Sequence, residues 1–110
     1  MEEKTRNGEP LEIEDRTYRF AQRVVRLCVH LDETPGVKRT LGSQLLRSGT
    51  SVGANVEEAH AAHSRAEFVS KMAVALKEAR ETRYWLRLLI DTGWWTGSYS
   101  TPSWPRRRRS

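Results

Sequence analysis

The chain holds one cysteine, so no disulfide can form within it. Cys28 lies among Val24, Val25, Leu27 and Leu31, the setting of a small buried apolar residue, and no base can be placed beside it to make a nucleophile. Long apolar runs are also missing. None approaches the roughly 18 residues of a membrane-spanning helix. The opening stretch MEEKTRNGEPLEIED lacks the apolar core of a signal peptide, so a cytoplasmic protein with no membrane partner is expected. Strand-like alternation and internal repeats are absent as well. At 110 residues the chain makes one domain at most, with a modest core, and chains this short often gain stability by oligomerising.

Basic charge is scarce where a net charge of +5 suggests it. The first 93 residues carry 15 basic and 14 acidic side chains and are nearly neutral. The excess comes from Arg106, Arg107, Arg108 and Arg109. A fold that is basic throughout, as in a general nucleic-acid binder, is therefore excluded.

What is present is helical periodicity. Residues 1–13 are polar and read as a flexible N-terminus, and residues 14–93 read as the helical domain. Glu14 or Asp15 is expected to cap a first helix whose apolar positions are Tyr18, Ala21, Val24, Val25, Cys28 and Leu31. Arg16, Arg19, Arg23 and Arg26 fall mostly on the other side. They form either a solvated cationic face or contacts to an acidic or phosphate-bearing partner. Thr34-Pro35-Gly36 breaks the helix. A second helix places Val37, Leu41, Leu45, Ser48, Val52, Val56 and Ala59 in phase. Ser64, with Glu67 three residues on, reads as a capping box for a third helix over about Arg65 to Asp91. Its seam runs Phe68, Met72, Ala75, Ala79, Thr82, Leu86 and Leu89 in heptad-like steps. A second stripe, Val69, Ala73, Leu76 and Ile90, is interrupted by Arg80 and Arg83. Gly93 stops this helix. Residues 94–110, with Pro102, Pro105 and Gly97, read as an irregular tail rich in tryptophan and arginine.

The stretch RSGTSVGANVEEAHAAHSRAEF, residues 47–68, admits three chemistries. A phosphate loop needs a preceding strand and a Gly-Lys-Ser/Thr ending, and has neither. Glu57-x-x-His60 has the spacing of a di-iron helix, but a second such motif does not exist. His60, His63 and Glu67 are either weak zinc ligands or exposed side chains at a helix junction, and no metal or other cofactor is assigned. The third reading is close packing. Ser48, Gly49, Ser51, Gly53 and Ala54 thin the helix so that another can approach. Each helical glycine costs roughly 1 kcal/mol against alanine, so two in five residues need such a contact or a local bend. Asn55 is expected to bond backbone freed at a bend, and Glu57 or Glu58 to pair with Arg80 or Arg83. No nucleophile, base and orienting group come together, so no catalytic residue and no small-molecule substrate is expected.

The segment from Leu45 to Gly93 resembles the four helix bundle proteins, also called the 23S rRNA intervening sequence protein family. The likeness rests on Arg47, Ser48, Ser51, Asn55 and Glu58, then on Phe68, Ala75 and Glu78, and on the run Lys77 to Leu86 that includes Glu81. It covers about Asp15 to Trp95. It implies an all-α, antiparallel up-and-down four-helix bundle, with Arg47, Ser48, Ser51, Asn55, Glu58, Phe68, Glu78 and Glu81 in structural roles. Family members are often encoded within bacterial large-subunit ribosomal RNA genes. A similar protein, the accessory variability determinant of diversity-generating retroelements, forms a pentamer and binds nucleic acid. The resemblance thus implies a non-enzymatic homo-oligomer, a pentamer by analogy, associated with RNA or a ribonucleoprotein. Its contacts would be Arg16, Arg19, Arg23, Arg26 and Arg106 to Arg109. A helical module that binds protein alone is the alternative. The chain departs from the pattern after the third helix, where a fourth should follow. The tail is either a truncated or frame-shifted end or a genuine variant that uses its aromatics and arginines on nucleic acid. Either way the third helix is expected to expose an apolar face and self-associate.

Overall fold

The computed structural model describes residues 12–94, and the expectations for residues 1–11 and for the tail beyond Trp94 lie outside them. Three helices follow one another: α1 (Ile13–Leu31), α2 (Val37–His60) and α3 (Arg65–Asp91). The described residues contain no strand. The fold is all-α, with three helices among the described residues, and a fourth such as the resemblance implied would fall outside them.

Helix α1 starts earlier than expected. Glu12 is its N-cap, and Glu14 and Asp15 stand inside the first turn. There their charges favour the exposed backbone N–H groups of the helix start without capping them. At α3 the Ser64 hydroxyl accepts from the Glu67 N–H at 3.1 Å. The Glu67 carboxylate returns to the His63 N–H at 3.1 Å, one residue before the cap. Gly93, at φ +84°, closes α3. Its N–H donates to Ile90 and that of Trp94 to Leu89, which satisfies two carbonyls of the last turn.

Helix α2 sits between the other two and runs antiparallel to both. The glycines set the register with α1. Gly42 faces Leu31, Gly49 faces Val24 and Gly53 faces Thr17. A Cβ on Gly53 would lie 3.2 Å from the Thr17 carbonyl oxygen, so the α1 backbone itself is close. Three helical glycines cost about 3 kcal/mol in propensity. Burying Val24 and Leu31 against them contributes roughly 1.5–3 kcal/mol each and offsets that cost. No bend is needed, and α2 is continuous from Val37 to His60. Asn55 accordingly donates to the Ser51 carbonyl of the same helix at 2.9 Å, not to backbone freed by a kink.

The core gathers where all three helices come together. Val24, Cys28 and Leu31 of α1, Leu45 of α2 and Leu89 of α3 form one buried cluster, flanked by Phe20, Leu27, Leu41, Trp85 and Leu86. Cys28 donates its thiol to the Gly42 carbonyl at 3.3 Å. Burial pushes that thiol up to about 11, which keeps it protonated and unreactive at neutral pH. The second stripe of α3 stays in solvent. Val69, Leu76 and Ile90 are each half exposed.

Gly49→Ala tests the close seam. The new methyl would meet the Val24 methyls at 2.8 and 2.9 Å, and Val24 is held in the core. Helix propensity gains about 1 kcal/mol, while overpacking costs about 1–3 kcal/mol. The expected outcome in urea unfolding is a net loss of up to about 2 kcal/mol. A gain in stability would show that α1 yields and that the seam is not tight.

Candidate nucleic-acid interface

Polar contacts on the α2–α3 side fix how α3 lies. Arg47 of α2 bonds Glu78 at 3.2 Å and also Glu81, one turn later on α3. The Trp85 indole N–H donates to the same Glu81 carboxylate at 3.0 Å. Beneath them the Thr82 hydroxyl donates to the Ser48 hydroxyl at 2.9 Å, with both side chains buried. Ser51 donates to the Arg47 carbonyl at 2.7 Å. Phe68 stacks edge-on against His60 with ring centroids 5.8 Å apart. Glu58 pairs with Lys71 at 2.7 Å and holds that ammonium in its charged form.

The pairing expected of Glu57 and Glu58 with Arg80 or Arg83 is therefore corrected. The antiparallel register puts Glu58 beside Lys71. Arg80 and Arg83 lie roughly 14–18 Å further along α3 by helical rise. A second set of ion pairs between these helices has the opposite polarity, with Arg47 on α2 and the carboxylates of Glu78 and Glu81 on α3. Among the described residues no three side chains of metal-ligating type gather. His60 lies 3.0 Å from the Val56 carbonyl, and Glu67 is taken up at the α3 cap.

With α3 held this way, an open groove of about 670 Å3 lies between α1 and α3. Val52 of α2 forms its floor with Phe20, Ala79 and Leu86. Four arginines line it, Arg16 and Arg23 from α1 and Arg83 and Arg87 from α3. Among the described residues that line it, none is acidic. Arg23 also lies over the Phe20 ring, 5.9 Å from its centroid. Such a cleft over an apolar floor focuses positive potential more than the same charges spread over a flat surface.

The structure splits the four α1 arginines expected as contacts. Arg16 and Arg23 line the groove, while Arg26 borders a hollow on the other side of α1. Arg19 is exposed, seven residues before Arg26 and so near the same line of the helix. Arg106 to Arg109 lie outside the described residues. Sequence reasoning missed Arg83 and Arg87 as partners of the α1 arginines. The available signal was an arginine spacing of four that interrupts an apolar stripe of α3.

A profile of the family described as 23S rRNA-intervening sequence protein matches residues 9–101. The chain belongs to the 23S rRNA-intervening sequence protein family. It is similar to a solved structure from Bacteroides thetaiotaomicron, a protein of unknown function from the S23 ribosomal protein family. The two are 47% identical, with a TM-score of 0.71, over 77% of this chain and 78% of that one. Comparison with curated proteins gave no match. The family name connects this intervening sequence protein with ribosomal RNA and states no activity for it. No helix among its described residues is long and apolar enough to cross a membrane.

The clamp gives a pH dependence. Hydrogen bonds from Arg47 and then from Trp85 hold the Glu81 carboxyl below the usual carboxylate range. A depressed folded value means that the stabilisation is complete above the unfolded value of about 4.3 and is lost as pH falls through the folded one. The protein should therefore exceed Glu81→Gln in urea midpoint at neutral pH, and the gap should close below about pH 4. A gap that is constant across this range would show that the charge on Glu81 adds nothing.

Proposed function

We propose that this chain is a non-enzymatic, RNA-associated accessory protein that seats a phosphate backbone along the groove between α1 and α3. The observation that carries this reading is the convergence of Arg16, Arg23, Arg83 and Arg87 on one groove with no acid among the described residues that line it. The body of the chain is nearly neutral, so its basic groups matter by placement and not by number. A guanidinium offers paired donors to phosphate oxygens, and two rows of them on opposite walls can follow a polyanion. The link of the family name to ribosomal RNA supports the same partner class. Arg19 adds a further cation on the exposed side of α1.

The apolar floor favours a second reading, a module that receives a helix of another protein. Phe20 and Leu86 reach the groove only partly buried, and Ile90 at its edge is 50% exposed. Salt dependence separates the two readings, because release of counterions accompanies phosphate contacts and not apolar docking.

The test is fluorescence anisotropy of the full chain with a labelled RNA over a salt series. The double variant Arg83→Gln/Arg87→Gln should lower affinity about uniformly across sequences and reduce the salt slope by about 2. A variant with glutamine at Arg106 to Arg109 should retain the groove's share of that slope. Loss of all binding in the tail variant, with the groove variant unchanged, would move the activity to the tail. Absence of binding by the full chain would put the protein-docking reading first.

A further inference from the structure

Helix α3 carries an exposed ridge that continues the arginine groove. Lys77, Arg80, Tyr84 and Arg87 follow one another in steps of three, four and three, and all four are exposed. Steps of this size put them on one line of the helix. Arg87 also lines the groove, so ridge and groove share a border. Lys77, Arg80 and Arg87 make no ion pair among the described residues. The two acids of this stretch, Glu78 and Glu81, are drawn toward α2 by Arg47, and their side chains are only 13% and 31% exposed. The clamp thus leaves the ridge cationic until Asp91 at the end of the helix.

Tyr84 is the aromatic member of this line. It is 52% exposed, yet its ring is held. It meets the Trp85 ring with centroids 5.1 Å apart and planes at 75°. Trp85 packs against the core, and its indole N–H is fixed by Glu81, which Arg47 holds in turn. A near-perpendicular pair uses at most one face of the tyrosine ring, so another flat face is left for a third ring. Arg80 lies one turn before Tyr84 and Arg87 one turn after it, about 10 Å apart along the axis. A held aromatic ring between two guanidinium groups matches a nucleotide base between two phosphates.

We propose that this ridge binds single-stranded RNA, with one base stacked on Tyr84 and the flanking phosphates on Arg80 and Arg87. The proposal rests on the reading of the groove as a phosphate site and names the form of RNA that the site takes. In a duplex each base face is covered by its neighbours, and uncovering one means unstacking it. A single strand offers unstacked bases without that cost. Every base has a flat π face, so stacking on Tyr84 adds affinity without reading sequence. The arginines meet phosphates, which both forms of RNA present. Tyr84 is therefore the residue that separates single strand from duplex.

Fluorescence anisotropy of the full chain tests the proposal. The probes are a short labelled oligoribonucleotide without self-complementarity and the same strand annealed to its complement. Tyr84→Ala should weaken single-strand binding about tenfold, leave the salt slope as it was and leave duplex binding within about twofold. Tyr84→Leu keeps bulk against Trp85 without a π face, and should bind as Tyr84→Ala does with unchanged helical circular dichroism. Tyr84→Phe keeps the ring and should stay within about twofold of the original. Arg80→Gln should lower the single-strand salt slope by about 1. Single-strand binding that is indifferent to Tyr84→Ala and Tyr84→Leu overturns the proposal. So does an equal loss on duplex, or a Tyr84→Phe variant as weak as Tyr84→Leu. In each of those cases the groove reading stands if Arg83→Gln/Arg87→Gln still lowers affinity. Absence of binding to either probe by the full chain overturns both.

Discussion

Close approach of α1 to the glycine-bearing side of α2 is the constraint on which the rest of the molecule depends. Gly42, Gly49 and Gly53 present backbone where other helices present side chains, and α1 comes in against them. This draws Val24 and Leu31 into the core and turns Phe20 toward the far side of α1, where the groove begins. Helix α2 thereby uses its small residues for one neighbour while Arg47 and Ser48 engage the other. A bulkier α2 would bury the same apolar area at a greater distance and would lose the register that the glycines impose.

The clamp between α2 and α3 has a different character. It joins a buried hydroxyl pair to a half-exposed ion network, so its value lies in geometry more than in net stability. Arg47 spans two carboxylates one turn apart, and the Trp85 indole fixes one of them. Translation of α3 by a single turn would unmake all of these contacts. The position of Arg83 and Arg87 across from Arg16 and Arg23 thus follows from contacts made on the opposite side of α3.

The positions and phase of the three described helices were legible in the sequence by itself, because each rests on local chemistry. Ser64 capped α3, Gly93 ended it and Pro35-Gly36 separated α1 from α2, and the steps of three and four marked Leu45, Ser48, Val52 and Val56 as one buried line. The small residues of α2 pointed to close packing through their cost in helix propensity alone. The start of α1 was misread because acidic residues favour both the cap and the first turn, and composition does not distinguish those positions.

Partnership between helices was decided only by the tertiary structure. Glu58 and Lys71 meet, and Arg47 meets Glu78 and Glu81, because an antiparallel register pairs residues by their distance from the turn. The same register gathers Arg16, Arg23, Arg83 and Arg87 although some sixty residues separate the two pairs. It also sends Arg26, a neighbour of Arg23 in sequence, to another face. Periodicity states which residues share a side of one helix. It carries no information about which side of the next helix they meet, since that depends on how closely backbones approach and on where polar contacts lock the translation.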